Sequence, residues 1–383
     1  MHPFPTHKLP NVGTTIFSVM SQLAVEHKAI NLGQGFPGFS IDLTLIDLVA
    51  DAMRAGRNQY APMPGLPELR LEIARKMKHL WGVNYDVDQE ITVTAGGSQA
   101  IFTAIGALVQ PGDEAILFAP AYDCYAPAIE LNGGVVKSVV MEYPEWNIPW
   151  EQLESLYSEK TRLVMINTPH NPTGKVWSKE EMRAMAEWVK EKQVYLISDE
   201  VYEHITFDDR PHTSMAAFDS IRDQTMLVYS FGKTFHATGW KLGYAIGPKA
   251  WMSEFRKQHQ FNVFTCNTPM QVGLAKYMQD ESRYQNISPM YQAKRNLLLS
   301  AFDNTSFEWG ASEGTYFQLL KWKGTSPLSD VELAKKWTIE NKITMIPISV
   351  FFPEQKDNRI FRLCFAKEDA ELLSAAEKIN AIQ

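Results

Sequence analysis

The chain has 383 residues, 45% hydrophobic and 21% charged, enough apolar material to bury a full core in roughly two or three structural units. Its formal net charge of -7, with no basic block, argues against a nucleic-acid partner and leaves any small anion to be met by local positive charge. Three widely spaced cysteines (Cys124, Cys266, Cys364) supply no disulfide framework, and no run approaches the roughly 18 apolar residues of a membrane span, so a cytoplasmic protein without membrane partners is expected.

Residues 1–13 carry Pro3, Pro5 and Pro10 and lack the apolar segment of a signal peptide; they read as an arm. Residues 14–27 place Ile16, Phe17, Met20, Leu23 and Ala24 at helical spacing, and a second helical pattern spans 41–55 after a Gly/Pro-rich turn. From residue 91 the texture changes. Short apolar runs at 91–94, 114–118, 135–141, 163–166, 194–197 and 226–228 read as strands, and 241–247 adds a further short one. Helical patterns at 98–109 and 179–192 lie between several of them, the alternation of an α/β fold with a mostly parallel sheet.

Beyond about residue 284 the order changes again. A helix through 291–302 precedes strands at 316–320, 343–346 and 360–365, interleaved with helices at 331–341 and from 368, which suggests a smaller α+β domain. The expected division is an arm at 1–13, a small domain from 14–38 plus 280–383, and a large domain over 39–279. No flexible linker separates them, so a broad shared interface is expected.

The most informative chemistry lies at Ser230-Phe-Gly-Lys233-Thr and continues to Lys241. An amine between a strand-like run and a Gly-rich turn, with a second lysine eight residues on to meet an anion, suits pyridoxal phosphate, which is held as a Schiff base to lysine. Two surface lysines would be the plainer reading. Four further segments bear on the choice. Thr94-Ala-Gly-Gly-Ser98-Gln99 lies where a strand ends and a helix begins, a place for a phosphate or an ordinary turn. Asn171, in an Asn-Pro turn after a strand, is placed to donate to the cofactor's phenolic oxygen, although such turns are common without a ligand. Asp199 ends the next strand, where a carboxylate can pair with a protonated pyridine nitrogen, and Tyr202 follows to join Asn171. Arg362 in an apolar strand needs an anion, either a substrate carboxylate or an internal Asp or Glu.

A metal site at Asp199, Glu200, Glu203 and His204 is disfavoured, since no second histidine stands at ligand spacing; Glu203 and His204 read as solvated helix-face residues. A dinucleotide site is rejected as well. Gly33-Gln-Gly35-Phe-Pro-Gly38 matches the letters of the fingerprint, but Pro37 sits inside it and the strand-to-helix context is missing.

The ordered set resembles the class I/II aminotransferases, pyridoxal-phosphate enzymes with the aspartate aminotransferase fold, and most of all the kynurenine and methionine aminotransferase branch. The matching segments run from Asn31-Leu-Gly-Gln-Gly-Phe-Pro37 through Asn58-Gln-Tyr60, Asp123-Cys-Tyr-Ala-Pro127, Asn171-Pro-Thr-Gly174 and Asp199-Glu-Val-Tyr202 to Lys233 and Arg362-Leu-Cys-Phe-Ala-Lys367. The resemblance implies a seven-stranded, mostly parallel sheet with helices on both faces plus the smaller α+β domain. It implies that Lys233 binds the cofactor and then acts as proton-transfer base, that Asp199 faces the pyridine nitrogen, and that Asn171 and Tyr202 meet the phenolic oxygen. Gly97, Ser98 and Gln99, helped by Ser230 and Lys241, would hold the phosphate, and Tyr122 would stack on the ring. Ser98 departs from relatives that have an aromatic there, which bears on pocket shape. Tyr60 would reach the phosphate in a neighbouring subunit, implying a homodimer with shared active sites, and Arg362 would bind the substrate α-carboxylate with Gly35 and Asn171 nearby.

The expected reaction is a ping-pong transfer of an amino group to a 2-oxo acid. The segment 261–269 has no arginine for a distal carboxylate, and aromatics including Phe17, Tyr60, Phe261 and Phe264 suit an uncharged side chain, so methionine, aromatic, kynurenine or glutamine-like donors are expected over aspartate. β-Elimination from cysteine conjugates would use the same lysine and is the alternative. A cofactor-binding DNA regulator is not favoured, since no extension leaves room for a DNA-binding module.

Overall fold

Neighbouring residues in the central apolar runs between 163 and 246 fall into two different hydrophobic cores. Leu163, Met165, Ile197, Met226, Val228 and Ala245 belong to one apolar cluster, whereas Val164, Ile166, Leu196, Leu227, Tyr229 and Ile246 belong to the other. That alternation is the period of a β-strand, and burial on both faces is why the runs read as almost uniformly apolar. The structure, a computed structural model, describes residues 8–10 and 12–383, so most of the expected arm lies outside the described residues.

Seven strands form: β1 (Ile91–Thr94), β2 (Glu114–Ala119), β3 (Val135–Val140), β4 (Thr161–Asn167), β5 (Tyr195–Asp199), β6 (Thr225–Ser230) and β7 (Gly243–Ile246). They join in the order β1-β7-β6-β5-β4-β2-β3. The neighbours from β6 to β3 run parallel, and β7 alone lies antiparallel to both its partners. Helices cover both faces. Gly96–Gly106 and Lys249–Asn262 bury Ile101, Ile105, Trp251 and Phe255 in one core; Pro67–Trp81 and Lys179–Lys192 bury Ile73, Met77, Met182 and Val189 in the other. Lys179–Lys192 begins with a capping box in which Ser178 and Glu181 each accept the other's backbone N–H, and ends with Lys190 and Lys192 complementing the helix dipole.

The C-terminal part holds a four-stranded antiparallel sheet of Ile346–Pro347, Ile360–Cys364, Phe317–Trp322 and Phe307–Glu308. The single strand expected at 343–346 is two pieces. Ile343–Thr344 pairs in parallel with Ile30–Asn31, while Ile346–Pro347 joins the four-stranded sheet. All residues from 343 to 349 are buried, so apolarity does not mark the break. This pairing carries the 33–38 loop to the C-terminal strand, where Cys364 N–H donates to Leu32 O (2.7 Å) and Gly38 N–H to Ala366 O (2.8 Å). The next helix starts only at Leu43, so the glycines at 33, 35 and 38 do not open a helix. Among the described residues no helix is long and apolar enough to cross a membrane.

Candidate active site

The C-terminal ends of β4, β5 and β6 lie on one edge of the large sheet. Antiparallel β7 adds its first residue there, because Gly243 pairs with both Thr94 and Ser230. Strand ends of this kind are where open α/β sheets place ligands. A cavity of about 350 Å³ opens at that edge, and Phe17, Gly35, Phe317 and Arg362 close it from the other side.

Lys233 follows β6 in the short helix Phe231–Thr234 and is half-buried, lining the cavity. Its Nζ donates to Tyr316 Oη at 2.8 Å and to Gly35 O at 3.3 Å. Among the described residues no carboxylate pairs with it. Desolvation brings its pKa down to about 8, with Cys364 and Asp199 opposing and Arg362 and Lys241 adding to the fall. An amine so placed sheds its proton far more readily than a surface lysine.

Asp199, the last residue of β5, is buried, and desolvation lifts its pKa to about 6 against a 2.6 Å hydrogen bond from Tyr125 Oη and a 3.2 Å one from Val201 N–H. Asn167 at the end of β4 ties the two strand ends together. Its amide donates to Asp199 O (2.9 Å) and its Oδ1 accepts the Asn171 N–H (2.7 Å). The Asn171 Oδ1 accepts from Arg362 Nη1 at 2.6 Å, which leaves its amide nitrogen free to donate. Arg362 is 2% exposed, donates through Nη2 to Gly33 O at 3.2 Å and lies 3.9 Å from the Phe317 ring centroid. Among the described residues it has no Asp or Glu partner, and its Nε is buried without an acceptor. A buried guanidinium with an unused donor is suited to a carboxylate.

The helix Gly96–Gly106 points its N-terminus at the same cavity, with Gly96, Gly97 and Ser98 on the wall. Gly96 has φ +79°, and a Cβ there would lie 3.5 Å from Lys241 Nζ. The positive φ favours glycine here, and free N–H groups beside an ammonium make a place for an anion.

Of the residues expected at the site, Gly35, Gly97, Ser98, Tyr122, Asn171, Asp199, Tyr202, Ser230, Lys233, Lys241, Arg362 and Phe17 all line the cavity. Gln99 does not. Its side chain turns back to accept from Ala95 N–H (2.9 Å) and donate to Thr103 Oγ1 (2.7 Å), so it serves the helix start. Tyr60 is 81% exposed and packs edge-on against Phe264 at 5.2 Å, away from the cavity lining. Glu203 and His204 are not solvated helix-face residues. Lys76 reaches from Pro67–Trp81 to ion-pair with Glu203, and both side chains are at most 9% exposed, within a turn. Tyr125, Asn167 and Phe317 also line the cavity and Tyr316 touches Lys233; in the sequence only the polar atoms on Tyr125, Asn167 and Tyr316 mark them, since buried tyrosines and asparagines need partners.

The family profile for aminotransferase class I and II matches residues 27–379. A methionine aminotransferase from Escherichia coli (strain K12) is 44% identical over 379 residues, covering 99% of this chain and 98% of its own. Kynurenine–oxoglutarate transaminase 3 from Rattus norvegicus is 32% identical, covering 97% and 88%. A solved Escherichia coli structure assigned a methionine aminotransferase function superposes with a TM-score of 0.95 at 44% identity, covering 99% of both chains. The chain belongs to the class I and II aminotransferases.

Proposed function

We propose that the cavity binds pyridoxal phosphate and that the enzyme transfers the amino group of a neutral amino acid, methionine foremost, to a 2-oxo acid. The observation that carries this reading is a lysine amine brought down to about 8 with no carboxylate partner among the described residues, in one cavity with Asp199 and the unsatisfied Arg362. The fit is chemical. Gly97, Ser98, Ser230 and Lys241 offer backbone and side-chain donors for a phosphate, Tyr122 an aromatic face, Asn171 and Tyr202 donors for a phenolic oxygen, and Asp199 a carboxylate for the ring nitrogen. When bound, the cofactor supplies an electron sink for the bond broken at the substrate α-carbon.

The protein's own part is binding and proton transfer. Arg362, with Asn171 and the Gly35 backbone beside it, orients the substrate carboxylate. Lys233 as a free amine accepts the α-proton at Nζ and later returns it. Phe17 and Phe317 present apolar surface to the side chain. Only Lys233, Lys241 and Arg362 bring positive charge to the described lining, and the first two are committed to the cofactor, which supports uncharged donors over aspartate. The name of the 44% identical relative agrees.

A homodimer with shared sites belongs to the same proposal, with Tyr60 of each subunit reaching its partner's phosphate. Tyr60 and Phe261, 81% and 88% exposed, are aromatic surface that suits burial by a second copy. The pairing of Ile30–Asn31 with Ile343–Thr344 supports grouping 14–38 with 280–383 as the small domain and 39–279 as the large one, and three unpaired cysteines support a reducing, cytoplasmic setting.

The test is absorbance of the purified protein during donor titration. A bound-cofactor band that methionine bleaches faster than aspartate is expected, and Lys233→Ala should lose both band and turnover. Normal band and turnover in Lys233→Ala would refute the role of Lys233, and faster bleaching by aspartate would refute the substrate.

A further inference from the structure

Tyr316 lies outside the cavity lining yet touches the amine that the proposed reaction depends on. Its hydroxyl donates its one hydrogen to Gly35 O at 2.7 Å, so toward Lys233 Nζ, 2.8 Å away, it can only accept. Lys233 also donates to that same Gly35 carbonyl, at 3.3 Å. A neutral lysine amine has two N–H bonds, one Cε and one lone pair around a tetrahedral nitrogen. With both hydrogens engaged by Tyr316 and Gly35, the lone pair has a single direction left, away from both oxygens.

Neither acceptor is free to drift. Tyr316 is fully buried, with Tyr202, Tyr291 and Phe317 packed at ring-centroid distances of 5.2, 5.8 and 4.9 Å. Gly35 sits in the loop tied to Leu32 and Gly38, and a Cβ on it would come within 2.5 Å of the Phe317 ring. The two oxygens are therefore a fixed cradle for a mobile side chain.

Resting on the reading of Lys233 as proton-transfer base, we propose that Tyr316 is a positioning residue: with the Gly35 carbonyl it holds the N–H bonds of free Lys233 so that the lone pair faces the substrate. The same contact stabilises the ammonium form, because an acceptor is worth more to a charged donor than to a neutral one. Removing the hydroxyl should lower the pKa of Lys233 while loosening its aim. The other groups that act on Lys233 are Cys364, Arg362, Lys241 and Asp199, with the Tyr202 ring 5.6 Å away; Tyr316→Phe leaves all of these side chains in the chain and keeps the ring at 316.

The experiment uses the full chain with Tyr316→Phe, loaded with pyridoxal phosphate and stripped of it. In the stripped chain, the rate of pyridoxal phosphate uptake against pH reports the fraction of Lys233 that is unprotonated. Its midpoint is expected to move below that of the unaltered chain. In the loaded enzyme kcat is expected to fall about tenfold, the scale of one lost orienting hydrogen bond, with the donor KM within twofold. An unmoved uptake midpoint, or a kcat equal to the unaltered enzyme's, overturns the proposal. Should Tyr316→Phe not fold, 3-fluorotyrosine at 316 keeps the shape while weakening the acceptor; a smaller shift in the same direction supports the proposal and no shift overturns it. Failure of the cofactor reading is distinct, since there the unaltered chain takes up no pyridoxal phosphate.

Discussion

Lys76 and Lys233 are both drawn out of water, one beneath the large sheet and one at its edge, and their surroundings differ in kind. Lys76 is 3% exposed, ion-paired with Glu203, hydrogen-bonded to Tyr244 Oη at 2.8 Å and set 4.7 Å over the Tyr229 ring. Glu200 lies next to it, itself paired with His212 at 3.1 Å and accepting from Tyr229 Oη at 3.1 Å and Met215 N–H at 2.9 Å. Lys233 opens onto a cavity and, among the described residues, its hydrogen bonds go only to neutral oxygens. Desolvation pulls both amines down; Glu203 and Glu200 oppose it at Lys76, whereas at Lys233 the opposing Cys364 and Asp199 are met by Arg362 and Lys241, which add to the fall. The partners, more than the depth, decide whether a desolvated lysine is a structural ion or a base.

Replacing each lysine by methionine should break the pair of regions apart. Lys233→Met is expected to cost at least about a thousandfold in turnover, since it removes the proposed base and its bond to the cofactor. Fold stability, read by denaturant unfolding of the stripped chain, should stay level or rise, because no internal ion pair is lost. Lys76→Met is expected to do the reverse. Removing one partner of a buried pair costs about 3–5 kcal/mol and strands the Glu203 carboxylate, while the folded fraction keeps kcat within a few fold. A Lys76 variant of native stability, or a Lys233 variant that unfolds as readily as the Lys76 one, would erase the distinction.

The two regions also differ in what the sequence discloses. Lys233, Asp199 and Asn171 are legible because each follows an apolar strand run at the edge where α/β sheets bind ligands, and Arg362 because a charge inside an apolar strand demands an explanation. The Lys76–Glu203 pair joins residues 127 apart, and nothing local to either marks it. Tyr125 reads as an apolar helix anchor until Asp199 is seen 2.6 Å from its hydroxyl. Gln99 is ambiguous in the opposite sense: its place at a Gly-rich helix start suggests a ligand, and its side chain here bonds Ala95, Thr103 and His259. Strand existence follows from local pattern, whereas the break at Met345 depends on which of two sheets each half meets.

The contrast has a pH signature. Lys233 titrates near 8 in the folded chain against an ordinary 10.5. Below about 8 the amine is protonated in both states, and its desolvated ammonium weakens the fold throughout that range. Between 8 and 10.5 the unfolded chain holds the proton and the folded chain does not, so stability gains with rising pH. The stability advantage of Lys233→Met over the unaltered stripped chain should thus be full below pH 8 and shrink toward pH 10.5. Constant advantage across that window would mean that Lys233 is not depressed.

The smallest effect tests whether the cavity carboxylate depends on its own partner as Lys76 depends on Glu203. Tyr125 Oη is the sole side-chain donor to Asp199 among the described residues, and it opposes the desolvation that lifts Asp199 to about 6. Tyr125→Phe removes one hydrogen bond to a charged acceptor and keeps the ring against Tyr122, 5.8 Å away. The carboxylate should protonate at still higher pH and oppose a pyridinium less well. The expected outcome is about tenfold weaker retention of pyridoxal phosphate, the scale of one charge-assisted bond, with the loss greatest toward pH 6. Equal retention at pH 6 and 8 would separate Tyr125 from the electrostatics of Asp199 and leave it a packing residue.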